Sequence, residues 1–275
     1  MTSEGLARWQ PLPCATPTRR INMLEMIGKV AIVTGAARGL GRAYAVNLAK
    51  SGAQVVAGDV RDCADTIKEI TKEGGEGLAI KLDVGDTGSC EAMATAALDR
   101  FGRIDALVNN AALYGGLTSA RADQLEEEEW QQVMNINVTG VWRCAKAVIQ
   151  PMKDSGGGSI VNIASLAAMH GLINGAAYAT SKAAVIGLSR TLARELGRYW
   201  IRVNTVSPSA VMTEGTSEFM GDRLERAKEA IAAGQSLRRN LETDDLVGTV
   251  LYLTSDASKF VSGQNIMVDG GTHFL

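Results

Sequence analysis

The chain has 275 residues and a formal net charge of −2, and 46% of its residues are hydrophobic. The apolar content supports a large core, and the near-neutral charge argues against a nucleic-acid partner held through its phosphates. No apolar run reaches the roughly 20 residues that a membrane span needs.

Cysteine and histidine are too scarce and scattered to build a metal centre. The four cysteines stand far apart without a CxxC pair, and the chain has only two histidines. We therefore expect reduced thiols, no metal site and a cytoplasmic location.

The first 26 residues are interpreted as an N-terminal extension. They contain no apolar signal-peptide core. The stretch "TRRINML" is weakly similar to a twin-arginine export signal, but the segment after it is needed as the first strand of the fold. The extension is either a disordered tail or a start codon chosen too early, since Met23 or Met26 would each begin the chain before "IGKVAIVTG". Residues 27–275 are predicted to form a single domain.

Short β-rich runs alternate with longer segments of helical spacing. The predicted strands are 29–35, 53–59, 77–84, 104–111, 158–165, 201–208 and 265–271. The predicted helices are 39–51, 62–74, 87–102, 123–153, 176–198 and 243–255. Most strands are nearly continuous apolar runs, as expected for parallel strands buried on both faces. The alternation predicts an α/β fold, a Rossmann-type doubly wound sheet of seven parallel strands in a three-layer α/β/α sandwich.

One segment breaks this alternation. Residues 213–234 have a helical pattern but follow a strand and lead into another helix. Ligands of doubly wound sheets bind at the carboxyl edge of the strands, so an insertion there is predicted to act as a lid.

The first predicted strand runs directly into "TGAARGLG", residues 34–41. Gly35, Gly39 and Gly41 stand where this strand meets the following helix. Glycine there permits a tight turn and lets backbone N–H groups approach a pyrophosphate at the helix N-terminus. Because strand, loop and helix follow in that order, the pattern predicts a dinucleotide site rather than an ordinary turn.

Asp59, at the end of the second predicted strand, bears on which dinucleotide binds. A carboxylate in this place hydrogen-bonds the ribose hydroxyls of NAD and repels the 2′-phosphate of NADP. Arg38 and Arg61 act in the opposite direction, since either could meet a 2′-phosphate. The carboxylate has the more direct geometry, so NAD is favoured and NADP remains the minority alternative.

A tyrosine and a lysine stand four residues apart in "AAYATSKAAVIG", residues 176–187. On a helix, Tyr178 and Lys182 would share one face. This spacing is informative because three further motifs accompany it. They are "SIVNIAS", which ends at Ser165, "MNINVTG", which carries Asn137, and "NNAA" (109–112), which ends the fourth predicted strand. Behind "TGAARGLG", and in this order, these motifs resemble the short-chain dehydrogenase/reductase family over about residues 27–272.

The resemblance implies a set of four catalytic residues. Tyr178 would be the acid/base, and Lys182 would hold the nicotinamide ribose. Ser165 would orient the substrate oxygen, and Asn137 would hold a water in a proton relay. A free phenol has a pKa near 10, and an ammonium together with a positive nicotinamide ring would lower it toward neutral pH.

The resemblance also implies a set of cofactor-binding residues. They are Gly35, Arg38, Gly39, Leu40, Gly41, Asp59, Asp83, Val84, Asn110, Ala111, Tyr178, Lys182, Pro208, Val211 and Thr213. Among these, Asp83 and Val84 would flank the adenine, and Thr213 would meet the carboxamide. Two positions depart from the family pattern, because Ala112 and Ser209 stand where most members have glycine.

The resulting hypothesis is an NAD-dependent oxidoreductase that interconverts a small-molecule secondary alcohol and a ketone, without nucleic-acid or membrane partners. One alternative is a 3-oxoacyl thioester reductase that uses NADPH, although no basic cluster indicates a carrier-protein partner. Another is a non-catalytic dinucleotide sensor, although all four catalytic positions are filled. Helices 123–153 and 176–198 are apolar on more than one face, and the equivalent family helices form a subunit interface, so a homotetramer is expected.

Overall fold

The computed structural model describes residues 24–274. The predicted N-terminal extension lies outside the described residues up to residue 23. Met26, which the prediction placed in that extension, is 2% exposed and belongs to the core. Its backbone N–H donates to the carbonyl of Ser51 at 2.7 Å, so Met26 is part of the fold rather than of a tail.

Strands and helices alternate along the described chain. The strands are β1 (Val30–Thr34), β2 (Gln54–Asp59), β3 (Glu76–Lys81), β4 (Ala106–Asn109), β5 (Gly158–Ile163), β6 (Ile201–Pro208) and β7 (Asn265–Val268). The helices are α1 (Gly39–Lys50), α2 (Ala64–Lys72), α3 (Thr87–Phe101), α4 (Glu127–Met134), α5 (Gly140–Asp154), α6 (Ala167–His170), α7 (Ala176–Leu196), α8 (Glu214–Met220), α9 (Leu224–Gly234) and α10 (Asp244–Thr254).

Within residues 24–274, seven strands form one sheet in the order β3-β2-β1-β4-β5-β6-β7, and all neighbouring strands are parallel. The predicted doubly wound α/β fold is confirmed. The direction of winding reverses between β1 and β4. Ligands of such sheets bind beyond the carboxyl ends of the strands at this reversal.

The central strands send alternate side chains to opposite faces of the sheet. Ala31 and Val33 of β1 pack into a hydrophobic cluster with α1 and α10, whereas Ile32 packs into another with α3 and α5. All five residues of β1 are buried, which explains why this strand is apolar throughout. Helices therefore cover both faces, and the predicted three layers are present.

Several predicted elements differ in extent from the observed ones, among them one helix and one strand. The helix predicted over 123–153 begins at Glu127 and contains a π-helical segment, Asn135–Thr139, between α4 and α5. The strand predicted over 265–271 ends at Val268, because Gly270 and Gly271 adopt positive φ angles of 63° and 77°.

The insertion predicted over 213–234 follows β6 at the carboxyl edge of the sheet. It consists of α8 and α9, joined by a 3₁₀ turn at Gly221–Arg223. Thr213 caps the start of α8, since its side chain accepts a hydrogen bond from the Thr216 N–H. None of the residues of α9 is buried, so this part of the insertion lies on the surface.

In the part of the chain that the structure describes, no helix is both long enough and apolar enough to span a bilayer.

Candidate active site

The loop between β1 and α1 is built on three glycines. Gly35 and Gly39 adopt positive φ angles of 66° and 53°, a conformation that other residues rarely adopt. A Cβ on Gly35 would lie 2.8 Å from the Cα of Ala111, and a Cβ on Gly41 would collide with the carbonyl of Gly35. A larger residue at Gly35 would therefore collide with the end of β4, and one at Gly41 would collide with the loop itself.

The N-terminus of α1 suits an anion. Arg38 precedes the helix without capping it through a side-chain hydrogen bond, and the first turn carries no acidic residue. Leu40 packs against the core. The free N–H groups and the dipole of a helix start favour a phosphate, so these residues fit the pyrophosphate of a dinucleotide.

Asp59 ends β2 beside this loop. Its Oδ2 accepts a hydrogen bond from the Ala37 N–H at 3.0 Å, and its Oδ1 accepts one from the Arg61 N–H at 2.9 Å. A carboxylate has about four acceptor sites, so both oxygens keep capacity for ribose hydroxyls. The glycine loop itself therefore orients the carboxylate that was predicted to meet the ribose.

Thr34 ties the end of β4 to the glycine loop, a contact that the sequence motifs did not reveal. Its Oγ1 accepts hydrogen bonds from the N–H groups of Asn110 and Ala111, both at 3.0 Å. Asn110 Nδ2 donates in return to the carbonyls of Thr34 and Gly35, at 3.0 and 3.1 Å. Because β1 and β4 flank the reversal of the sheet, these bonds fix the walls of the crevice.

Asp83 and Val84 follow β3 on the predicted adenine side. Asp83 is exposed, and its Oδ1 accepts from the Gly85 N–H at 2.8 Å. Val84 is 6% exposed and packs closely against Gly140 at the start of α5. Its side chain therefore belongs to the core, whereas the side chain of Asp83 is exposed.

Tyr178 and Lys182 lie four residues apart on α7. Lys182 Nζ is 5.7 Å from the centroid of the Tyr178 ring and donates to the carbonyl of Ile163 at 2.8 Å. Lys182 is 4% exposed, whereas Tyr178 is partly exposed. The hydrogen bond to the last residue of β5 thus holds the buried ammonium beside the ring.

Both side chains have perturbed acidities. Burial raises the pKa of Tyr178 above its usual value of 10, the neighbouring Tyr114 raises it further, and Ser165 acts in the opposite direction through a hydrogen bond. Burial lowers the pKa of Lys182 to about 8. The sequence predicted that the lysine and a positive nicotinamide ring together lower the tyrosine pKa, and in the protein without that ring desolvation raises it. Lowering the pKa of Tyr178 therefore requires a further positive charge at the site.

Asn137 lies in the π-helical segment and is fully buried. Its Oδ1 accepts from the Leu113 N–H at 2.7 Å, and its Nδ2 donates to the Leu113 carbonyl at 3.1 Å and to Ser181 Oγ at 3.2 Å. Ser181 Oγ in turn donates to the carbonyl of Tyr178 at 2.7 Å. Asn137 thus connects the loop after β4 to the helix that carries Tyr178 and Lys182.

Ser165 follows β5 at the same edge of the sheet and is partly exposed. Its Oγ accepts from the Ala167 N–H at 3.1 Å, and it also interacts with Tyr178. The four predicted catalytic residues therefore come from the end of β5, the π-helical segment and α7, all near the carboxyl edge.

The segment after β6 closes the other side of the crevice. The carbonyl of Pro208 accepts from the Leu166 N–H at 2.8 Å, and that of Val211 accepts from the Thr213 N–H at 2.9 Å. Val211 is 6% exposed. A Cβ on Gly39 would lie 3.7 Å from Thr213, so this segment faces the glycine loop directly.

Comparisons with known proteins agree with this geometry. A family model described as enoyl-(acyl carrier protein) reductase matches residues 35–273. The 2-dehydro-3-deoxy-D-gluconate 5-dehydrogenase of Dickeya dadantii is 35% identical over 252 residues, which are 91% of this chain and 98% of the relative. The crystal structure of carveol dehydrogenase from Mycobacterium avium in complex with NAD has a TM-score of 0.86 and 31% identity, and the match covers 90% of this chain and 98% of that chain. A Beutenbergia cavernae protein with NADP bound at low occupancy has a TM-score of 0.84 and 36% identity over 91% and 98% of the two chains.

The chain belongs to the short-chain dehydrogenase/reductase family. The resemblance read from the sequence is confirmed. Relatives of known structure contain NAD in one case and NADP in another, so this short-chain dehydrogenase/reductase is an oxidoreductase with a nicotinamide dinucleotide site, and membership alone leaves both cofactors open.

A second tyrosine lies in this short-chain dehydrogenase/reductase site, and the motifs did not reveal it. The Tyr114 ring centroid is 4.9 Å from that of Tyr178 and 4.8 Å from that of Phe219 in α8. The loop after β4 and the insertion therefore meet beside Tyr178. Tyr114 follows "NNAAL" at the carboxyl edge, which is a positional signal, but a single aromatic residue in a loop has no diagnostic spacing.

Arg38 is engaged by the insertion. Its Nη1 and Nη2 donate to the two carboxylate oxygens of Glu218 at 2.5 and 2.8 Å. The two residues stand 180 positions apart, and no sequence pattern connects them.

Proposed function

We propose that this protein is an NAD-dependent dehydrogenase that interconverts a secondary alcohol and a ketone. The observation that carries the proposal is the placement of Tyr178 on α7, beside the buried Lys182 and in contact with Ser165. A positioned phenol of this kind transfers the proton of a reacting hydroxyl.

Different residues of the chain would bind the cofactor and orient the substrate. The glycine loop and the N-terminus of α1 would hold the pyrophosphate, and Asp59 would accept hydrogen bonds from the adenosine ribose. Lys182 would hold the nicotinamide ribose, and Ser165 would orient the substrate oxygen. When bound, NAD supplies the hydride acceptor and a positive ring charge.

Tyr178 would act on the substrate oxygen. In alcohol oxidation its phenolate oxygen would take the hydroxyl proton while the carbon gives up a hydride. In ketone reduction the phenol would return that proton. Because burial raises the pKa of Tyr178 in the protein alone, we expect its phenolate form to depend on the bound, positively charged cofactor.

NAD is the preferred cofactor in this proposal. Asp59 presents its carboxylate beside the glycine loop, and the Arg38 guanidinium already pairs with Glu218. The alternative, an NADPH-dependent 3-oxoacyl thioester reductase, draws support from relatives in Synechocystis and Thermotoga maritima that are named 3-oxoacyl-[acyl-carrier-protein] reductase and are 36% identical to this chain. It would need Arg38 or Arg61 to be available to a 2′-phosphate.

We also propose a cytoplasmic homotetramer. Trp130 in α4 and Trp142 in α5 are 36% and 43% exposed, and large apolar side chains exposed on neighbouring helices suit a subunit interface. Sedimentation or light scattering at micromolar concentration would measure the assembly directly.

The function is tested by turnover with a substrate panel. Purified protein is given NAD or NADP with cyclic and acyclic secondary alcohols, sugars, polyols and 3-hydroxyacyl thioesters, and reduced cofactor is followed by absorbance. We expect NADH to form with a class of secondary alcohols. Tyr178→Phe should bind NADH like the wild type but lose about 10²- to 10⁴-fold in kcat.

Tyr199→Phe is the matched control, because Tyr199 contacts Lys153 and Arg198 rather than the site. Turnover of Tyr178→Phe near the wild-type rate would overturn the acid/base assignment. Turnover of thioesters alone, with NADP, would establish the alternative reductase. Dinucleotide binding without any turnover would support a sensor.

A further inference from the structure

We propose that Glu218, in the insertion, is a second determinant of the choice of NAD over NADP. The inference rests on the proposed dinucleotide site and goes beyond it, since it assigns cofactor selection to a residue outside the glycine loop and the end of β2. Glu218 acts by pairing with Arg38, a cation that would otherwise meet a 2′-phosphate.

The first cation is Arg38. Its guanidinium forms a two-pronged pair with the Glu218 carboxylate, with nitrogen–oxygen distances of 2.5 and 2.8 Å. This is the geometry in which arginine also binds phosphate. A 2′-phosphate would therefore have to compete with Glu218 for the same two N–H groups.

The second cation is Arg61. The hydrogen bond from Arg38 holds the pKa of the Glu218 carboxyl below its usual value, and the charge of Arg61 adds to this effect. Glu218 thus pairs directly with Arg38, and the charge of Arg61 acts on the same carboxylate. Glu214 and Asp59 add two more negative charges around Arg38. A 2′-phosphate would meet a surplus of negative charge here, whereas the neutral 2′-hydroxyl of NAD would not.

Packing fixes where Glu218 lies. Its neighbour Phe219 stacks on Tyr114, and Gly115 is so close that a Cβ there would collide with Glu218 Oε2. The loop after β4 thus seats the carboxylate against Arg38. Both partners of the pair remain partly exposed, with side-chain exposures of 30% and 44%, so water and salt screen the interaction and its effect is moderate.

The test measures dinucleotide affinity without substrate, so it does not depend on the proposed reaction. NADH and NADPH are titrated into wild type and Glu218→Gln, and Kd is read from nicotinamide fluorescence. We expect the ratio of the NADPH Kd to the NADH Kd to fall about threefold to tenfold in Glu218→Gln. High salt should shrink this difference.

Glu225→Gln is the matched control. It makes the same change in the same insertion, but Glu225 pairs with Lys228 on its own helix, so the ratio should stay at the wild-type value. In an Arg38→Gln background, most of the effect of Glu218→Gln should disappear.

An unchanged ratio in Glu218→Gln overturns the inference. Equal tightening of both dinucleotides also overturns it, because Glu218 would then obstruct the whole site rather than select the 2′ group. If neither dinucleotide binds the wild type, the proposed dinucleotide site itself is wrong. Failed turnover by a protein with the expected binding ratios would count against the proposed reaction alone.

Discussion

The helix α7 and the insertion helix α8 both border the candidate site but are held in opposite ways. On α7, Lys182 and Ser181 are 4% and 0% exposed and form hydrogen bonds to β5 and to the π-helical segment. On α8, Glu218 pairs with Arg38 at the surface, and Phe219 contacts the site by ring stacking. Buried hydrogen bonds are costly to break, whereas exposed ion pairs contribute little to stability. Of the groups proposed for chemistry, Lys182 and Asn137 are therefore part of the core, whereas those proposed for selection can change without unfolding it.

The largest expected effect is a dependence of stability on pH, which arises from the buried Lys182 on α7. Burial lowers the pKa of Lys182 from 10.5 to about 8, so below about pH 8 the folded protein bears the full cost of burying the ammonium. Between about pH 8 and 10.5 the unfolded chain binds more protons than the folded one, and stability rises with pH. Relative to Lys182→Met, the wild type should gain about 2–3 kcal/mol in free energy of unfolding from about pH 7.5 to about pH 10.

Urea unfolding of both proteins at the two pH values measures this difference. Lys259→Met removes an exposed lysine and should show no comparable change. If wild type and Lys182→Met differ by the same amount at both pH values, the buried charge does not account for the effect.

Asn137→Ala tests the hydrogen bonds that attach α7 to its surroundings. The substitution leaves the backbone groups of Leu113 and the hydroxyl of Ser181 without their partner. The free energy of unfolding should fall by about 2 kcal/mol, measured by urea denaturation. Asn47→Ala is the control, since the side chain of Asn47 donates to the carbonyl of Ala43 in its own helix, and its loss should cost less than about 1 kcal/mol. Equal losses in the two variants would show that the hydrogen bonds of Asn137 to other elements stabilise the fold no more than a bond within one helix.

Phe219→Ala tests the insertion and should have the smallest effect on stability. The ring contacts Tyr114 near the surface, so the free energy of unfolding should fall by less than about 1 kcal/mol. The KM for the alcohol substrate should nevertheless rise about threefold to tenfold, because the wall beside Tyr178 is lost. Steady-state kinetics and thermal unfolding of the same preparation separate the two effects. A large loss of stability with an unchanged KM would place Phe219 with the core instead.

Much of the fold could be predicted because its signals are local. Apolar runs such as that of β1 report burial on both faces of a parallel sheet, and the positive φ of Gly35 and Gly39 explains the glycines of the first loop. Tyr178 and Lys182 were recognisable because a helix brings residues four apart onto one face.

The rest depends on contacts between distant segments. The Arg38–Glu218 pair and the Thr34 bonds to Asn110 join residues 180 and 76 positions apart, and no spacing rule covers such pairs. The desolvation that raises the pKa of Tyr178 in the protein alone was not predicted from the sequence, because it depends on how distant segments pack around the ring.

The π-helical segment changes the direction in which side chains project from the helix that contains it. In an α-helix a residue advances about 100°, so positions four apart drift by about 40° at each step. A π turn takes in one more residue, which offsets this drift. Val133, Asn137 and Val141, spaced by four, are all buried, with exposures of 0%, 0% and 5%. The wider turn directs the polar side chain of Asn137 toward α7, while the helix continues on both sides. A β-bulge redirects a side chain of a strand in a similar way.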